Sequence, residues 1–252
     1  LGDVYKRQLG FYEMYLNGER VGDQVLAPAV TNFDRRPLKK MLYFFDDQSN
    51  QRVLYNTFDV TSLVQKAENT VGVLLGNGWY NQRDRTVEGC MWYDTPRLLC
   101  QLEIEYTDGS TELVVTDDSW KTTTGPLLHD AIFTGEEYDA RLELDGWNRN
   151  GYKDSSWKKA LLVRAPKGSL HAQLAPHEKI IRILQPVSCE QKDDSTYWYA
   201  FPEMISGWAH IKVQGNAGDR IKLRFVGEEK NDFGQVDLSL IHISEPTRRR
   251  GI

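Results

Sequence analysis

The sequence predicts an all-β protein: a jelly-roll-like β-sandwich followed by the opening of a second, truncated β-sandwich. Three observations carry this. Apolar residues recur with period two over short segments, as at Tyr12, Met14 and Leu16. Turn dipeptides such as Asn17-Gly18 and Asp108-Gly109 separate those segments. There is no long amphipathic helix, which disfavours helical and α/β architectures. Two sandwiches in series is the simplest arrangement of so many short strands.

From residue 9 to 168 the pattern is strand, turn, strand. Tyr12, Met14 and Leu16 alternate with Glu13, Tyr15 and Asn17, and the Asn17-Gly18 turn leads into Arg20-Val21. At residues 59–68 the pattern changes. Asp59 or Thr61 is placed to cap a short helical turn, with Leu63 and Val64 facing inward. Residues 98–106 alternate again, turn at Asp108-Gly109 and return over 111–116 as a hairpin. Two related segments follow, Asp117-Asp-Ser-Trp-Lys121 and Asp154-Ser-Ser-Trp-Lys158. In each, an acidic-serine turn is expected to deliver a Trp to the core and leave a Lys in water. The strand pattern pauses near 166–176. A second set at 180–184, 196–201, 209–213 and 221–226 opens the second sandwich, assigned to residues 169–237.

The ends read differently. Residues 3–8, Asp-Val-Tyr-Lys-Arg-Gln, back-translate to a string whose reverse complement encodes Leu-Ser-Leu-Ile-His-Ile, the sequence of residues 238–243. Residues 244–248 fit the continuing codons. Both ends resemble a sequencing-library adapter translated on its two strands. Residues 1–8 and 238–252 are therefore set outside the fold, and the natural protein is expected to extend beyond both.

Length and charge bound the function. The chain has 252 residues and a formal net charge of −5. That balance advertises neither nucleic acid nor an anionic membrane surface as a partner. No apolar run is long enough to span a bilayer. Cys90, Cys100 and Cys189 are odd in number and show no metal-ligand spacing. They read as reduced, mostly buried thiols.

The most informative stretch is residues 69–80, Asn-Thr-Val-Gly-Val-Leu-Leu-Gly-Asn-Gly-Trp-Tyr. A buried strand over 70–75 meets a turn in which Gly76 and Gly78 are free to take φ > 0 and Asn77 tolerates it. The chain then delivers Trp79 and Tyr80. Two readings stand: rings stacked on the apolar face of a sugar, or rings filling the core beneath the turn, the commoner fate of large aromatics. The loop that follows holds Arg83, Arg85, Glu88, Trp92, Tyr93 and Asp94. Aromatic faces with neighbouring charged groups suit a monosaccharide. The carbohydrate-binding candidates are therefore Trp79, Tyr80, Trp92, Tyr93 and Asp94. Asn77 and Asp94 offer oxygen ligands for calcium, although no metal or other cofactor is assigned.

Glu136, Glu137 and Asp139 are close enough in sequence to suggest catalytic carboxylates, with Arg141 able to hold one of them. The favoured reading is a loop fixed by an Arg–carboxylate bridge, because nothing nearby is built to raise one carboxyl pKa and leave the other ionised. No catalytic residue is assigned. His129, His171, His177 and His210 show no metal spacing.

An ordered set of segments resembles the N-terminal region of bacterial α-L-rhamnosidases. It runs through residues 15–22 (Tyr-Leu-Asn-Gly-Glu-Arg-Val-Gly), 58–61 (Phe-Asp-Val-Thr), 75–80 (Leu-Gly-Asn-Gly-Trp-Tyr), 106–110 (Tyr-Thr-Asp-Gly-Ser) and 135–141 (Gly-Glu-Glu-Tyr-Asp-Ala-Arg). The resemblance covers nearly all of 9–237. It implies an N-terminal jelly-roll sandwich, in some members a rhamnose-binding module with calcium, and then a second sandwich. An (α/α)6 barrel would follow, carrying the glutamates that hydrolyse terminal α-L-rhamnose with inversion, their carboxyls roughly 6.5–9.5 Å apart. The partners implied are a rhamnose-containing glycoside and the protein's own missing catalytic barrel. One departure stands out. Where the family has an Asp-Phe-Gly-Gln-Asn-like stretch before a Gly-Trp, this chain has Tyr-Ala-Phe-Pro-Glu-Met-Ile-Ser over 199–206 before Gly207-Trp208. The expected function is thus a non-catalytic N-terminal accessory region. The alternatives are a stand-alone rhamnose-binding module and the accessory sandwich of a β-galactosidase-like glycosidase.

Overall fold

A computed structural model describes residues 2–34, 50–82, 93–132 and 134–225, with the main chain alone for residues 2–8. The strands in chain order are β1 (Gly2–Leu9), β2 (Phe11–Leu16), β3 (Glu19–Arg20), β4 (Arg52–Asp59), β5 (Val71–Gly76), β6 (Arg97–Glu105), β7 (Thr111–Val115), β8 (Lys121–Thr122), β9 (Leu127–Ala131), β10 (Gly135–Tyr138), β11 (Lys158–Lys159), β12 (Ser169–Ala172), β13 (Ser188–Gln191) and β14 (Tyr197–Ala200). The helical structure among the described residues is two 3₁₀ turns, Thr61–Leu63 and Ala140–Leu142. None is long and apolar enough to cross a membrane. The all-β class is as expected.

The chain divides into two compact units, Leu1–Glu178 and Lys179–Ile252. In the first, a five-stranded sheet in the order β12-β4-β1-β6-β7 and a three-stranded sheet in the order β3-β2-β5 enclose the main core. The alternation of β2 is what the sequence promised: Tyr12, Met14 and Leu16 point inward while Phe11, Glu13 and Tyr15 are partly exposed. Val71, Val73 and Leu75 of β5 pack beside them, and Cys100 and Leu102 of β6 belong to the same cluster. The Asn17-Gly18 turn has φ 54° and 86°, the paired positive values of a type I′ hairpin. Its Asn17 side chain also donates to the Leu63 carbonyl at 2.9 Å and accepts from Thr70 N–H at 2.9 Å, tying three segments together. Asp59 accepts from Thr61 N–H at 2.9 Å and so holds the 3₁₀ turn, while Leu63 and Val64 pack on the core.

Of residues 1–8, set outside the fold by the sequence reading, residues 2–8 are not peripheral. β1 lies between β4 and β6, antiparallel to both. A ladder is made by main-chain groups, which any proline-free segment can supply. The adapter-like character of the residues is therefore no bar to the position. Residues 238–252 lie outside the described residues. β12 pairs in parallel with β4, so the pause near 166–176 contains a strand of the first sheet.

The two Asp-Ser-Trp-Lys segments pair with each other. β8 and β11 form a short ladder, and Lys121 Nζ reaches Asp154 Oδ1 at 2.7 Å. Trp120 packs on the core as expected, and its Nε1–H donates to the Val115 carbonyl at the edge of β7. Trp157 instead packs edge-on against Tyr152, ring centroids 5.8 Å apart. Both lysines are exposed, as expected, and Lys121 also meets the carboxylate that the second copy brings to it.

In the second unit β13 and β14 form a local hairpin, but 180–184, 209–213 and 221–225 carry no strand. Most of their large apolar residues lie open, Ile181 at 94% exposure. The Asn216–Asp219 turn is nonetheless formed, with Asp219 accepting from Asn216 N–H at 2.7 Å and Gly218 at φ 101°. Period-two sequence makes a strand only where a neighbouring ladder and a covering layer exist. Cys100 is buried and free, but Cys189 is exposed, against the expectation of mostly buried thiols; Cys90 lies outside the described residues.

Met14→Ala is expected to destabilise the protein by about 2–5 kcal/mol in urea unfolding, against less than ~0.5 kcal/mol for the exposed Leu161→Ala. Equal costs would show that the core is not centred on β2.

Candidate functional site

The aromatic turn is built where two strand ends nearly touch. β2 and β5 pair with Phe11 opposite Gly76. At Gly10 an added Cβ would lie 2.2 Å from the Gly76 carbonyl oxygen, and at Gly78 2.7 Å from Phe11 N. Gly78 also has φ 48°, whereas Gly76 and Asn77 keep negative φ. One glycine, not two, thus supplies the left-handed residue. The Asn77 carbonyl accepts from Tyr80 N–H and Asn81 N–H, each at 3.2 Å, which curls the chain back on itself.

Asp130, on β9, anchors this turn. Its Oδ1 accepts from Asn77 N–H at 2.8 Å, and its carbonyl accepts from Asn77 Nδ2 at 2.8 Å. Asn81 Nδ2 donates to Asn77 Oδ1 at 2.7 Å, and Gln82 Nε2 donates to the Gly78 carbonyl. Asp130 is buried, and burial raises its carboxyl pKa against the opposing hydrogen bond from Asn77. Sequence reasoning missed Asp130, which lies 53 residues from Asn77 and carries no local signal. Gln82, four residues after Gly78, was open to detection as a capping amide.

The rings divide. Tyr80 is 2% exposed, stacked on Tyr93 at 5.5 Å and 6° and met edge-on by Phe33 at 5.5 Å. Burial pushes its hydroxyl up to about 12. Together with Leu9 and Val53 these rings form a second, smaller core, against which Trp79 and Tyr93 are only partly covered. Trp92, Arg83, Arg85 and Glu88 lie outside the described residues. Asp94 pairs with Arg97 Nη2, and its Oδ1 accepts from Thr95 N–H at 2.8 Å. Arg97 Nη1 in turn donates to the Arg164 carbonyl at 2.6 Å.

Calcium prefers six or more free oxygen ligands. Of the two oxygen ligands considered for such an ion, the Asn77 amide is bonded at both ends, and the Asp94 carboxylate meets Arg97 and Thr95 N–H. Among the described residues no group of three or more His, Cys, Asp or Glu is arranged to hold a metal. His129 meets the Thr134 hydroxyl at 3.0 Å and His171 the Ser169 hydroxyl at 2.9 Å.

The acidic cluster is dispersed in the same way. Glu136 and Glu137 sit on β10, opposite Asp130 and His129. Asp139 is gripped by Arg141, from Nε at 2.8 Å and Nη2 at 2.6 Å, with Arg141 N–H at 3.0 Å. Those bonds hold its carboxyl down at about 2. Tyr138 OH donates to Glu143 at 2.6 Å. An open depression of about 500 Å³ beside this loop is lined by Leu127, Leu128, Leu142 and Leu144 with Arg141 and Glu143. Asp130 and Asp139 are pushed in opposite directions, as an acid and a base must be. Neither lines that depression, and the first is held by Asn77, the second by Arg141.

Comparison with known proteins places this geometry. The family model described as the α-L-rhamnosidase N-terminal domain matches residues 2–44 and 45–182. An α-L-rhamnosidase of Formosa agariphila is 32% identical over 225 residues, 87% of this chain and 22% of that protein. One from Alteromonas sp. is 31% identical over 237 residues, 91% of this chain and 24% of the relative. Among solved structures, the α-L-rhamnosidase of Aspergillus terreus aligns with a TM-score of 0.76 at 31% identity, over 93% of this chain and 25% of that one. That of Dictyoglumus thermophilum aligns at 0.67 and 37% identity, over 79% and 20%. A third structure, from Streptomyces avermitilis and complexed with L-rhamnose, aligns at 0.67 and 31% identity, over 78% and 18%. The chain thus spans about a fifth to a quarter of the length of these relatives.

Two substitutions test the turn. Gly78→Ala is expected to cost roughly 2–4 kcal/mol in urea unfolding, from positive φ and the contact with Phe11. A cost below ~0.5 kcal/mol would refute the close approach. For Asp130, a raised carboxyl pKa contributes stability present below the unfolded pKa and lost as pH rises through the folded one. Asp130→Asn, which keeps the acceptor, should therefore stabilise near neutral pH and lose that advantage in acid. A variant less stable than the parent at neutral pH would show that the charge is wanted there.

Proposed function

This chain belongs to the α-L-rhamnosidase N-terminal domain family, and from that premise we propose that it serves as a non-catalytic accessory region of an enzyme that hydrolyses terminal α-L-rhamnose from glycosides. The observation that carries the proposal is the family match across residues 2–182. The structural support is chemical. Inverting hydrolysis needs two carboxyl groups facing one substrate space, with their pKa values split. Here the carboxylates near the depression are bonded to protein donors, Asp139 by Arg141 and Glu143 by Tyr138. The family match also favours this reading over the accessory sandwich of a β-galactosidase-like enzyme.

The sugar contact proposed for the aromatic turn falls to Trp79 and Tyr93. Both are partly uncovered, while Tyr80 and Phe33 form the foundation beneath them. A monosaccharide held by two ring faces binds weakly, with Kd on the order of 1 mM.

The chain alone is expected to release no 4-nitrophenol from 4-nitrophenyl α-L-rhamnoside; turnover that persists in a purified preparation would overturn the accessory role. Titration with L-rhamnose should change Trp fluorescence in the parent and not in Trp79→Ala, with or without EDTA. A flat titration of the parent would leave the turn purely structural.

A further inference from the structure

The chain holds three Asn-Gly pairs, Asn17-Gly18, Asn77-Gly78 and Asn150-Gly151. Such a pair carries a latent reaction of its own. The glycine nitrogen, unhindered by a Cβ, sits next to the asparagine side-chain carbonyl carbon and attacks it when the main chain between them is free to turn. The fold treats the three pairs differently. Asn17 is half-buried, with its N–H on the Thr70 carbonyl and its Oδ1 on the Thr70 N–H, each at 2.9 Å, and the Arg149 side chain lies over Gly18. Asn77 is braced by Asp130 and Asn81, and Gly78 is buried against Phe11. Asn150 and Gly151 are both exposed, and a Cβ on Gly151 would meet nothing within 4 Å. Main-chain bonds from Arg149 N–H to the Gly146 carbonyl and from Tyr152 N–H to the Arg149 carbonyl bracket the third pair. Among the described residues neither the Asn150 nor the Gly151 N–H donates.

The side chain of Asn150 is the fixed part. Its Nδ2 donates to the Glu68 carbonyl at 2.7 Å and lies 3.4 Å from Gln65 Oε1. A carbonyl only accepts, so that end of the amide is nitrogen. Oδ1 then faces the Thr70 hydroxyl, which donates to it at 2.5 Å.

We propose that Asn150-Gly151 is a self-deamidating site, assisted by the Thr70 hydroxyl. Solvent base takes the Gly151 amide proton, and the nitrogen forms a bond to Asn150 Cγ. The carbonyl electron pair moves onto Oδ1, where the Thr70 hydroxyl stabilises the developing charge. The pair returns, the Cγ–Nδ2 bond breaks, and Nδ2 takes a proton from water and leaves as ammonia. Water then opens the five-membered imide at either carbonyl, giving aspartate or isoaspartate. The carboxylate cannot donate to the Glu68 carbonyl. The clasp between residues 146–151 and 65–70 is therefore cut beside Trp147, which packs on Gly72 and meets Tyr15 edge-on at 5.7 Å.

The full chain, aged in mildly alkaline buffer and mapped by peptide mass spectrometry, tests this. Asn150 should convert roughly tenfold faster than Asn17 or Asn77, because its main chain is free to reach the attacking geometry. In urea the three rates should converge. Thr70→Val keeps the branched shape and should slow Asn150 by about threefold, with Thr70→Ser restoring the rate. Asn150→Asp, one of the two products, should raise hydrogen exchange at the Arg149 and Tyr152 amides roughly fivefold, the worth of one hydrogen bond. Faster conversion at Asn17 or Asn77, or none at Asn150, overturns the site. So does a preference for Asn150 that persists in urea, since local sequence and not the fold would then choose it. A parental rate in Thr70→Val overturns the assistance, and unchanged exchange in Asn150→Asp overturns the clasp.

Discussion

The structure depends on one constraint: three alternate side chains of a six-residue strand must all be hidden at once. Tyr12, Met14 and Leu16 lie between two sheets, and each buried apolar side chain of that size is worth roughly 2 kcal/mol. β3 and β5 flank β2 in its own sheet, and β6 brings Cys100 and Leu102 from the facing one. Tyr12 adds a polar complication, since its buried hydroxyl accepts from Asn56 Nδ2 at 3.1 Å and is pushed up to about 12 by burial. A one-residue slip of β2 would turn all three inward residues to solvent. The I′ turn at Asn17-Gly18 fixes the register at one end. The close approach of Gly10 and Gly78 fixes it at the other.

The aromatic turn is best understood as a consequence of that second end. Where two backbones meet with no room for a Cβ, the chain must turn sharply, and its amide groups need partners. Asp130 and Gln82 supply them from β9 and from the chain just beyond the turn. Tyr80 then fills the space beneath, between Phe33 and Tyr93. The polar residues most suggestive of chemistry are mostly spent in the same manner. Asn77 braces the turn, Asp94 holds Arg97, and Asp139 holds Arg141. Such arrangements leave few of these groups available for bond-breaking. That is what an accessory region of a glycosidase needs.

Much was legible in the sequence because much of it is local. Period-two burial in β2, the Asn-Gly and Asp-Gly hairpins, the Asp59–Thr61 turn and the Arg141–carboxylate bridge follow from residues a few positions apart, and the family membership follows from the order of such short segments along the chain. Tertiary structure decided the rest, because those choices join distant segments or depend on a covering layer. Asp130 braces a turn far from it in sequence. Lys121 finds Asp154 in the second Asp-Ser-Trp-Lys segment. The residues 2–8 that sequence set aside become a central strand, because ladders are formed by the main chain. The alternating apolar segments at 180–184 and 209–213 form no strand, because periodicity specifies which face a strand would bury and cannot supply the layer to bury it against.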